Sequence, residues 1–339
     1  MTDHTWGVLS NQAISAAGVV YFLALLCALV EWSAWLSRAK TSVAEKELVG
    51  AGAVAGETDA GTETATDPAD AVREQRAELF GRLSVLLTAI AVLCHLGALV
   101  GRGMAADPNR VPWGNMYEFT ISGSFVVAAA YVVLYRRLKL AWMAPWVLGF
   151  TLVVLMLAVI GLYEPVAPLT EALNSYWLVI HVIAAIIATG GFTLGGIASV
   201  AYLFKKRFPD AALLARVPEL DVLDRISYRI HAFAFPVWTF GVLISGPIWA
   251  HEAWGSYWNW DPKEVWAFIT WVVYAGYLHA RATAGWKGKK AAIVALIGLA
   301  TLWFNFIGIN YFSSTSQHSY AAPAAPAVVE LTVPEGASR

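Results

Sequence analysis

Residues 141–161 read AWMAPWVLGFTLVVLMLAVIG, and no charged side chain interrupts them. A helix that crosses a lipid bilayer needs about 20 mainly apolar residues, so this stretch is long enough to span a membrane. The whole chain has the same character, because 58% of its 339 residues are hydrophobic and only 14% are charged. Soluble domains are about one quarter charged. The composition therefore predicts an all-α integral membrane protein.

The chain contains about eight such apolar stretches, each long enough for one membrane helix. The first of them lacks the basic start of a secretory signal, so we expect no removable signal peptide. The predicted membrane helices cover residues 17–37, 80–100, 117–135, 141–161, 176–204, 227–250, 265–281 and 291–312.

The basic residues are distributed unevenly between the two sides of these predicted helices. Arg102, Arg110, Lys263 and Arg339 fall on one side, and the other 19 of the 23 Lys and Arg residues fall in or beside the loops of the opposite side. Loops rich in Lys and Arg stay on the cytoplasmic side of a membrane. The distribution predicts that both termini and the loop at 254–264 face outward.

Charge and cysteine content argue against three classes of function. The formal net charge is −1, so there is no strongly basic surface of the kind that binds nucleic acid. Cys27 and Cys94 both lie within predicted spans, and no Cys-x-x-Cys occurs. The chain is therefore not expected to be a thiol oxidoreductase or a c-type cytochrome.

Composition divides the chain into four parts. Residues 1–40 hold a short outer segment and the first membrane helix. Residues 41–78 are rich in Ala, Gly, Thr, Asp and Glu, and we expect an acidic, disordered inner loop because large apolar side chains are almost absent. Residues 79–321 form the transmembrane core. Residues 322–339, with their Ala-Pro repeats, are expected to form a short outer tail.

Residues 254–264 read WGSYWNWDPKE and join the sixth and seventh predicted spans. Asp261 is a favoured N-cap, the proline after it suits the first helical position, and Glu264 completes a capping box. The end of this segment is therefore expected to start the seventh span.

The aromatic side chains before this cap need a different explanation. A looped segment that carries several rings can present them to one large planar ligand, and aromatic groups contribute much of the burial energy in such sites. The alternative is an amphipathic loop or an aromatic belt at the membrane interface. The planar ligand that we expect is haem. Its candidate contacts are Trp254, Tyr257, Trp258, Trp260 and Asp261.

The histidines are candidate axial ligands, because neutral imidazole binds haem iron and ionisable residues inside a membrane are usually functional. His181 lies about one turn inside the outer end of the fifth span, and His318 follows the eighth span on the same side. Both could approach the aromatic segment. His279 lies 15 residues after Glu264, about 22 Å along a helix, which predicts a position toward the inner face.

The remaining histidines leave alternatives open. His231, near the inner start of the sixth span, could pair with His279 at a second haem or metal site, and His279 could instead be an interfacial residue. His95 is either a packed core residue or a further ligand. His251 could contact haem propionates or only the lipid headgroup layer.

Residues 254–271, WGSYWNWDPKEVWAFITW, strongly resemble the WWD signature of haem-handling membrane proteins. Within that group the chain is similar to the CcsA family, also called ResC, of cytochrome c biogenesis proteins. The resemblance covers most of residues 80–321 and excludes the acidic inner loop. The number of spans and the moderate length favour this family over shorter and longer WWD proteins. Further matching stretches lie at 115–118, 178–182, 277–279 and 318–321.

The resemblance implies roles for three histidines. His181 and His318 match the two outer histidines that bind haem beside the WWD segment, and His279 matches the histidine of an inner haem site within the membrane. In the family the inner histidine pairs with one from a partner protein, CcsB or ResB, which would make His231 unnecessary. His251 stands where relatives are expected to have Asn, so the resemblance assigns it no role.

The implied function is that of a cytochrome c maturation factor in the cell membrane. Haem b would enter near His279, move outward and dock between His181 and His318. There, thioether bonds would join its vinyl groups to the Cys-x-x-Cys-His motif of an apocytochrome c. Together with CcsB, the chain would form a holocytochrome c synthase of the haem lyase type. The expected partners are a CcsB or ResB protein, an apocytochrome c, haem and membrane lipid, with no nucleic acid.

Two other classes of function remain open on the residues alone. A b-type cytochrome subunit would hold haem permanently and pass electrons to quinone. Such proteins commonly place two ligands on one helix, however, and no predicted span carries two histidines. A transporter with aromatic gates would not need histidines at matched depths around a Trp-rich loop.

Overall fold

The computed structural model describes residues 2–52, 68–167, 175–313 and 315–317. The regular structure of these residues is entirely helical, which confirms the predicted fold class. Within the described ranges, seven helical runs are long and apolar enough to cross a membrane, so the chain is a multi-pass membrane protein. These runs are Asp3–Leu36, Ala71–Met104, Met116–Leu134, Leu140–Gly161, Tyr176–Arg207, Leu220–Trp254 and Lys289–Phe312.

The helices are numbered in chain order. Their bounds are α1 Asp3–Gly52, α2 Pro68–Met104, α3 Met116–Leu134, α4 Ala144–Gly161, α5 Tyr176–Arg207, α6 Leu220–Thr239, α7 Gly246–Trp254, α8 Pro262–Thr283, α9 Lys289–Trp303 and α10 Ile309–Phe312.

Helix α8 occupies the position of the seventh predicted span. Its 22 residues are enough to cross a bilayer. Lys263 and Glu264 lie in its first turn and Arg281 in its last, which makes it less apolar than the seven runs above. Its charged ends suit a helix whose middle lies in the membrane.

The range 41–78, for which the sequence predicts a disordered loop, is entered by helices from both ends. Helix α1 continues to Gly52, and α2 begins at Pro68. Residues 53–67, His318 and the whole of the predicted outer tail, 322–339, lie outside the described residues.

The helices pack mainly as neighbours in sequence, α1 with α2, α5 with α6 and α8 with α9, while α5 also contacts α3 and α9. Small residues on α5 permit its central position, since they let helix backbones approach closely in a membrane. At Gly195, a Cβ atom would lie only 2.5 Å from Cε1 of His231 on α6. The absence of a side chain at Gly195 is therefore what makes room for the buried imidazole.

Two of the long runs contain a π-helical turn. Residues Phe240–Ser245 join α6 to α7, and residues Phe304–Gly308 join α9 to α10. A π-turn shifts backbone hydrogen bonding from four residues to five and is frequent at functional sites. The N–H of Gly246 accordingly donates to the carbonyl of Gly241. Both turns contribute to the wall of the cavity described below.

A buried ion cluster ties the end of α2 to the start of α3. Glu118, with a fully buried side chain, accepts hydrogen bonds from Arg102 Nε at 2.9 Å and from Arg110 at 2.7 Å. Its carboxylate also accepts from the backbone N–H of Gly114 at 2.7 Å. These bonds hold the connection between α2 and α3 against the helix ends beside the cavity.

Candidate functional site

A cavity lies below the aromatic segment, between α3, α4, α5, the α6–α7 run, the start of α8 and the α9–α10 run. Its volume is about 200 Å³, and most of its lining is apolar. Its lining includes Tyr257 and Trp258 of the aromatic segment, and both His181 and Thr193 of α5. Because these two α5 residues are 12 positions apart, the cavity extends about 18 Å along the helix. It is therefore a deep cavity with an aromatic rim.

His181 is held at the cavity wall by a backbone carbonyl. Its Nδ1 lies 2.8 Å from the carbonyl oxygen of Gly241, in the first π-turn. A carbonyl oxygen can only accept a hydrogen bond, so Nδ1 carries the proton. In a neutral imidazole the lone pair is then on Nε2, the arrangement found in histidines that bind metals. The ring is nearly parallel to Trp249, with ring centroids 5.8 Å apart.

Two of the predicted aromatic contacts line the cavity. Trp258 and Tyr257 both belong to its wall. Tyr257 stacks on His251 with ring centroids 4.3 Å apart, so His251 supports the rim. Trp258 makes an edge contact with Trp260, whose centroid is 5.9 Å away.

The other two tryptophans have different positions. Trp254 packs against Trp249, with centroids 4.8 Å apart, and so lies behind a ring that lines the cavity. Trp260 is 72% exposed and is not among the residues that line the cavity. The structure thus brings His181, Tyr257 and Trp258 together at one cavity, while Trp254 supports that wall and Trp260 does not contribute to it.

A sharp turn precedes α8. Trp260 has φ of +55°, an uncommon conformation for a bulky residue. In this turn the backbone N–H groups of Asn259 and Asp261 both donate to Glu264 Oε2, at 2.9 and 3.1 Å. The predicted capping box between Asp261 and Glu264 is present. It fixes the angle at which the aromatic segment enters α8.

Asp261 is buried rather than presented to the cavity. Its side chain is 5% exposed, and it accepts from the backbone N–H of Lys263 at 2.9 Å. It also accepts hydrogen bonds from Ser316 and Gln317. His318, the second predicted outer ligand, lies outside the described residues.

His279 and His231 lie on different faces of the α6–α8 pair. His279 is exposed on α8, whereas His231 is fully buried, and its Nδ1 donates to the carbonyl of Ser227 at 2.7 Å. The ring of His231 contacts Tyr277 of α8 at 5.2 Å. His279 follows Tyr277 by two positions, which is about 200° around a helix. The structure therefore does not bring the two histidines together.

His95 is part of the helix core. It is fully buried, and its Nδ1 lies 3.4 Å from the hydroxyl of Tyr21. Its ring makes edge contacts with Tyr21 and Phe125. This packing agrees with the core interpretation of His95 rather than with a third ligand.

Several cavity residues were not singled out from the sequence. Lys263 and Asn310 both line the cavity, and Lys263 Nζ donates to Asn310 Oδ1 at 2.8 Å. The sequence did distinguish Lys263 in one respect, since it is among the few basic residues predicted on the outer side. No sequence signal pointed to Trp249 or Gly241, because their roles depend on the π-turn, which the hydropathy pattern does not encode.

Comparisons with known proteins connect this cavity to a family. Residues 113–316, which include the cavity lining, match the model of a family described as Cytochrome C assembly protein. A cytochrome c biogenesis protein CcsA of Chlamydomonas reinhardtii is 43% identical over 157 residues, which are 46% of this chain and 44% of that protein. A CcsA of Guillardia theta is 33% identical over 259 residues, covering 70% of this chain and 84% of that protein.

A solved structure has a similar fold. Cytochrome c Heme Lyase CcmF matches with a TM-score of 0.61 and 15% sequence identity, over 90% of this chain and 47% of that one. The chain thus spans about half the length of that structure, and the likeness concerns the arrangement of helices. The family match and the Guillardia relative carry the assignment, since each covers well over half of the chain. This chain belongs to the cytochrome c assembly protein family.

Proposed function

We propose that this protein moves haem across the cell membrane and presents it on the outer face for attachment to apocytochrome c, together with a CcsB or ResB partner. A role in cytochrome c maturation follows from the family to which the chain belongs. The observation that carries the finer proposal is the deep cavity under the aromatic segment, with the His181 imidazole fixed at its wall.

The lining of this cavity fits haem b. Tyr257 and Trp258 offer aromatic surface for a porphyrin face, and His181 offers an imidazole with its Nδ1 proton committed to a carbonyl. Thr193 Oγ1 and Asn305 Oδ1 are buried at the wall without a hydrogen-bond partner. Such groups are costly unless a ligand or water satisfies them, which supports a cavity that is filled during function.

The orientation of the membrane helices completes the outer site. The uneven distribution of Lys and Arg supports an outward-facing aromatic segment. The backbone N–H of Gln317 is bonded to Asp261 at the end of this segment, and His318 is the next residue in the sequence. His181 and His318 are then the two axial ligands of the outer site, and this second ligand rests on the family resemblance.

The exposure of His279 supports an inner site shared with a partner. An ionisable side chain on the lipid-facing surface of a membrane helix is costly and is usually paired. His279 is exposed on α8 and lies on a different face from the buried His231. A histidine from CcsB or ResB would complete a pair of ligands there.

The chemistry at the outer site depends mainly on positioning. Each thioether forms when a cysteine sulfur bonds to one vinyl carbon and the thiol proton is taken up by the other, so no leaving group is needed. Lys263 is held by Asn310, and Glu264 is held by two backbone N–H groups. These bonds fix the two side chains, and the contribution proposed for the protein is orientation of the reacting groups.

Co-expression tests the proposal directly. The chain, a CcsB partner and a cytochrome c reporter should yield holocytochrome in a host that lacks its own maturation system, measured as haem that stays attached after denaturing electrophoresis. His181→Gly should lower the yield at least about tenfold, because removing a residue that merely supports a metal ligand already costs about ten- to a hundredfold. Added imidazole should restore part of the yield, because it can occupy the vacant axial position.

The matched control is His4→Gly, since His4 lies in the first turn of α1 and outside the cavity lining. Its yield should equal that of the unsubstituted chain. No holocytochrome from the unsubstituted chain, with all three proteins expressed, would favour a b-type electron-transfer subunit instead. An unchanged yield with His181→Gly would reject that residue as a ligand.

A further inference from the structure

The end of α8 that carries His279 is tied to two other helices by one carboxylate. Asp224 lies near the start of α6, and its two oxygens accept from Arg281 Nη1 and Nη2, both at 2.8 Å. Its Oδ1 also accepts from the backbone N–H of Gly288 at 2.9 Å. Arg281 lies in the last turn of α8, and Gly288 is the residue before α9. One side chain therefore joins α6, α8 and α9 at the same end of the bundle.

The ion pair between Asp224 and Arg281 is largely buried. The Arg281 side chain is 8% exposed and that of Asp224 is 14% exposed. Two parallel hydrogen bonds fix the direction of a guanidinium group as well as its distance. The same guanidinium lies over the ring of Tyr228 on α6, 4.5 Å from its centroid. The last turn of α8 is therefore held against α6 in one orientation.

The third bond of Asp224 depends on a glycine. Gly288 has φ of +65°, a conformation that glycine adopts without a steric cost. A Cβ atom at this position would lie only 2.5 Å from the hydroxyl oxygen of Tyr202 on α5. The backbone N–H of residue 288 can therefore keep its place on Asp224 only if this residue has no side chain.

These bonds bear on His279 because it lies in the same part of α8. Arg281 follows His279 by two positions, which is about 200° around a helix and about 3 Å along it. While Arg281 is bonded to Asp224, the His279 side chain lies on the other face of α8, where it is exposed. The carbonyl of His279 also accepts from the hydroxyl of Thr283 at 2.8 Å, within this last part of the helix.

We propose that Asp224 is a positioning residue for the inner haem site, whose carboxylate holds the last turn of α8 and thereby fixes the direction in which His279 meets haem and the partner protein. The inference rests on the proposed function, in which His279 is an inner haem ligand. Asp224 acts through Arg281 and Gly288 and does not contact haem. We call the three hydrogen bonds that Asp224 accepts the brace.

The brace matters because His279 lies near a helix end. The last four carbonyls of a helix have no partner within it, and a binding site must hold its ligand groups within about 0.5 Å and 10–20°. A brace that is present before haem binds also means that binding does not have to order this turn. Loss of the brace is expected to weaken ligation by His279 without removing the imidazole itself.

Asp224→Asn and Gly288→Ala disturb the brace in different ways. In Asp224→Asn, an amide nitrogen would face one of the donors of Arg281 or Gly288. Gly288→Ala keeps both charges and displaces only the backbone N–H. Glu31→Gln is the matched control, because Glu31 and Arg216 form an ion pair of similar burial, 12% and 10% exposed. That pair joins α1 to the turn before α6 rather than to α8.

The test separates the two proposed haem sites in the purified complex with a CcsB partner. Haem titrated into a His181→Gly background reports the inner site, and haem titrated into a His279→Gly background reports the outer site. Asp224→Asn should weaken inner binding about tenfold, the lower end of the range for residues that orient a metal ligand. Gly288→Ala should weaken it about threefold, as expected for one lost hydrogen bond. Outer binding should be unchanged in both.

The control and the unfolding temperature separate positioning from general stability. Glu31→Gln should lower the unfolding temperature in detergent, as Asp224→Asn does, and leave inner haem binding unchanged. The brace has no positioning role if Asp224→Asn weakens both sites equally, or if Glu31→Gln weakens the inner site as much as Asp224→Asn. If Asp224→Asn gives no folded protein, Gly288→Ala decides, and unchanged inner binding in that variant rejects the brace.

Failure of the brace can be told apart from failure of the proposed function. The variant that carries both His181→Gly and His279→Gly should lose the inner binding that remains in His181→Gly alone. If it keeps that binding, His279 is not the inner ligand, and the basis of the inference fails with it. If it loses that binding while Asp224→Asn and Gly288→Ala keep it in full, the inner site stands and only the brace is wrong.

Discussion

At the scale of single residues, the orientation of His181 depends on a crowded carbonyl oxygen. The oxygen of Gly241 accepts from His181 Nδ1, from Ser245 Oγ at 2.9 Å and from the N–H of Gly246. Position 246 therefore lies against both the carbonyl and the imidazole. A Cβ atom there would be 3.1 Å from the Gly241 oxygen and from His181 Nδ1.

Substitution of Gly246 should disturb the imidazole without deleting it. Gly246→Ala would push the His181 ring off its preferred geometry, at a cost of about 1 kcal/mol, which corresponds to a roughly five- to tenfold weaker outer site. The measurement is haem bound to the purified complex, titrated spectroscopically at increasing haem concentration. Added imidazole should restore less haem binding in Gly246→Ala than in His181→Gly, since the displaced His181 ring still occupies the site.

Gly149→Ala is the matched control for this substitution. Gly149 lies within α4, and a Cβ atom there would meet nothing within 4 Å. Haem affinity should be unchanged in that variant. Equal affinity in Gly246→Ala and Gly149→Ala would mean that the contact between position 246 and His181 has no influence on the site.

The aromatic residues show where prediction from the sequence ends. The spacing predicted haem contacts equally for Trp254, Trp258 and Trp260. Of these three, only Trp258 lines the cavity. Their directions depend on the backbone of the loop, including the positive φ of Trp260, and single-sequence patterns do not determine such angles. The capping box could be predicted because it requires only short-range bonds between Asp261 and Glu264.

At the scale of elements, apolar runs located the membrane helices because the bilayer imposes their length. The same patterns gave no sign of the two π-turns, since a π-turn changes the backbone hydrogen bonding and leaves the side-chain hydropathy unaltered. Nor could they show that Glu118 would hold two arginines. That cluster depends on how the ends of α2 and α3 meet.

The Glu118 cluster should contribute strongly to stability. The Glu118 carboxylate is fully buried, and its negative charge is paired with the positive charges of Arg102 and Arg110, whose side chains are 3% and 10% exposed. Removing one partner from a buried ion pair costs about 3–5 kcal/mol. Glu118→Gln should therefore lower the temperature of unfolding in detergent by several degrees and increase proteolysis between residues 105 and 115, both of which can be followed on the purified protein.

An exposed ion pair provides the comparison for this variant. Glu78 and Arg82 are bonded at 3.1 Å, but their side chains are 63% and 81% exposed. Surface pairs of this kind contribute about 0–1 kcal/mol, so Glu78→Gln should leave the unfolding temperature nearly unchanged. A Glu118→Gln protein as stable as Glu78→Gln would show that the buried cluster is not needed to hold the end of α2 to the start of α3.

At the scale of the whole molecule, the cavity and His279 face different surroundings. The α8 residues that line the cavity are Lys263, Glu264 and Ala267, all near its first turns. Farther along α8, Phe268, Val272 and His279 form an exposed stripe at helical spacing. Haem held at His279 would therefore lie on the lipid-facing surface of the helix bundle, where a second protein can complete its ligation.

The dependence of the proposed inner site on a partner can be measured by haem loading. His279→Gly should lower the haem that copurifies with the chain and its CcsB partner about tenfold, since one of two axial ligands is lost. Val272→Ala, on the same exposed stripe, should leave the loading unchanged. The chain purified without its partner should already show low inner-site loading, and His279→Gly should reduce it little further. Full loading of His279→Gly in the complex would place the inner haem elsewhere, and full loading of the chain alone would remove the need for a partner ligand.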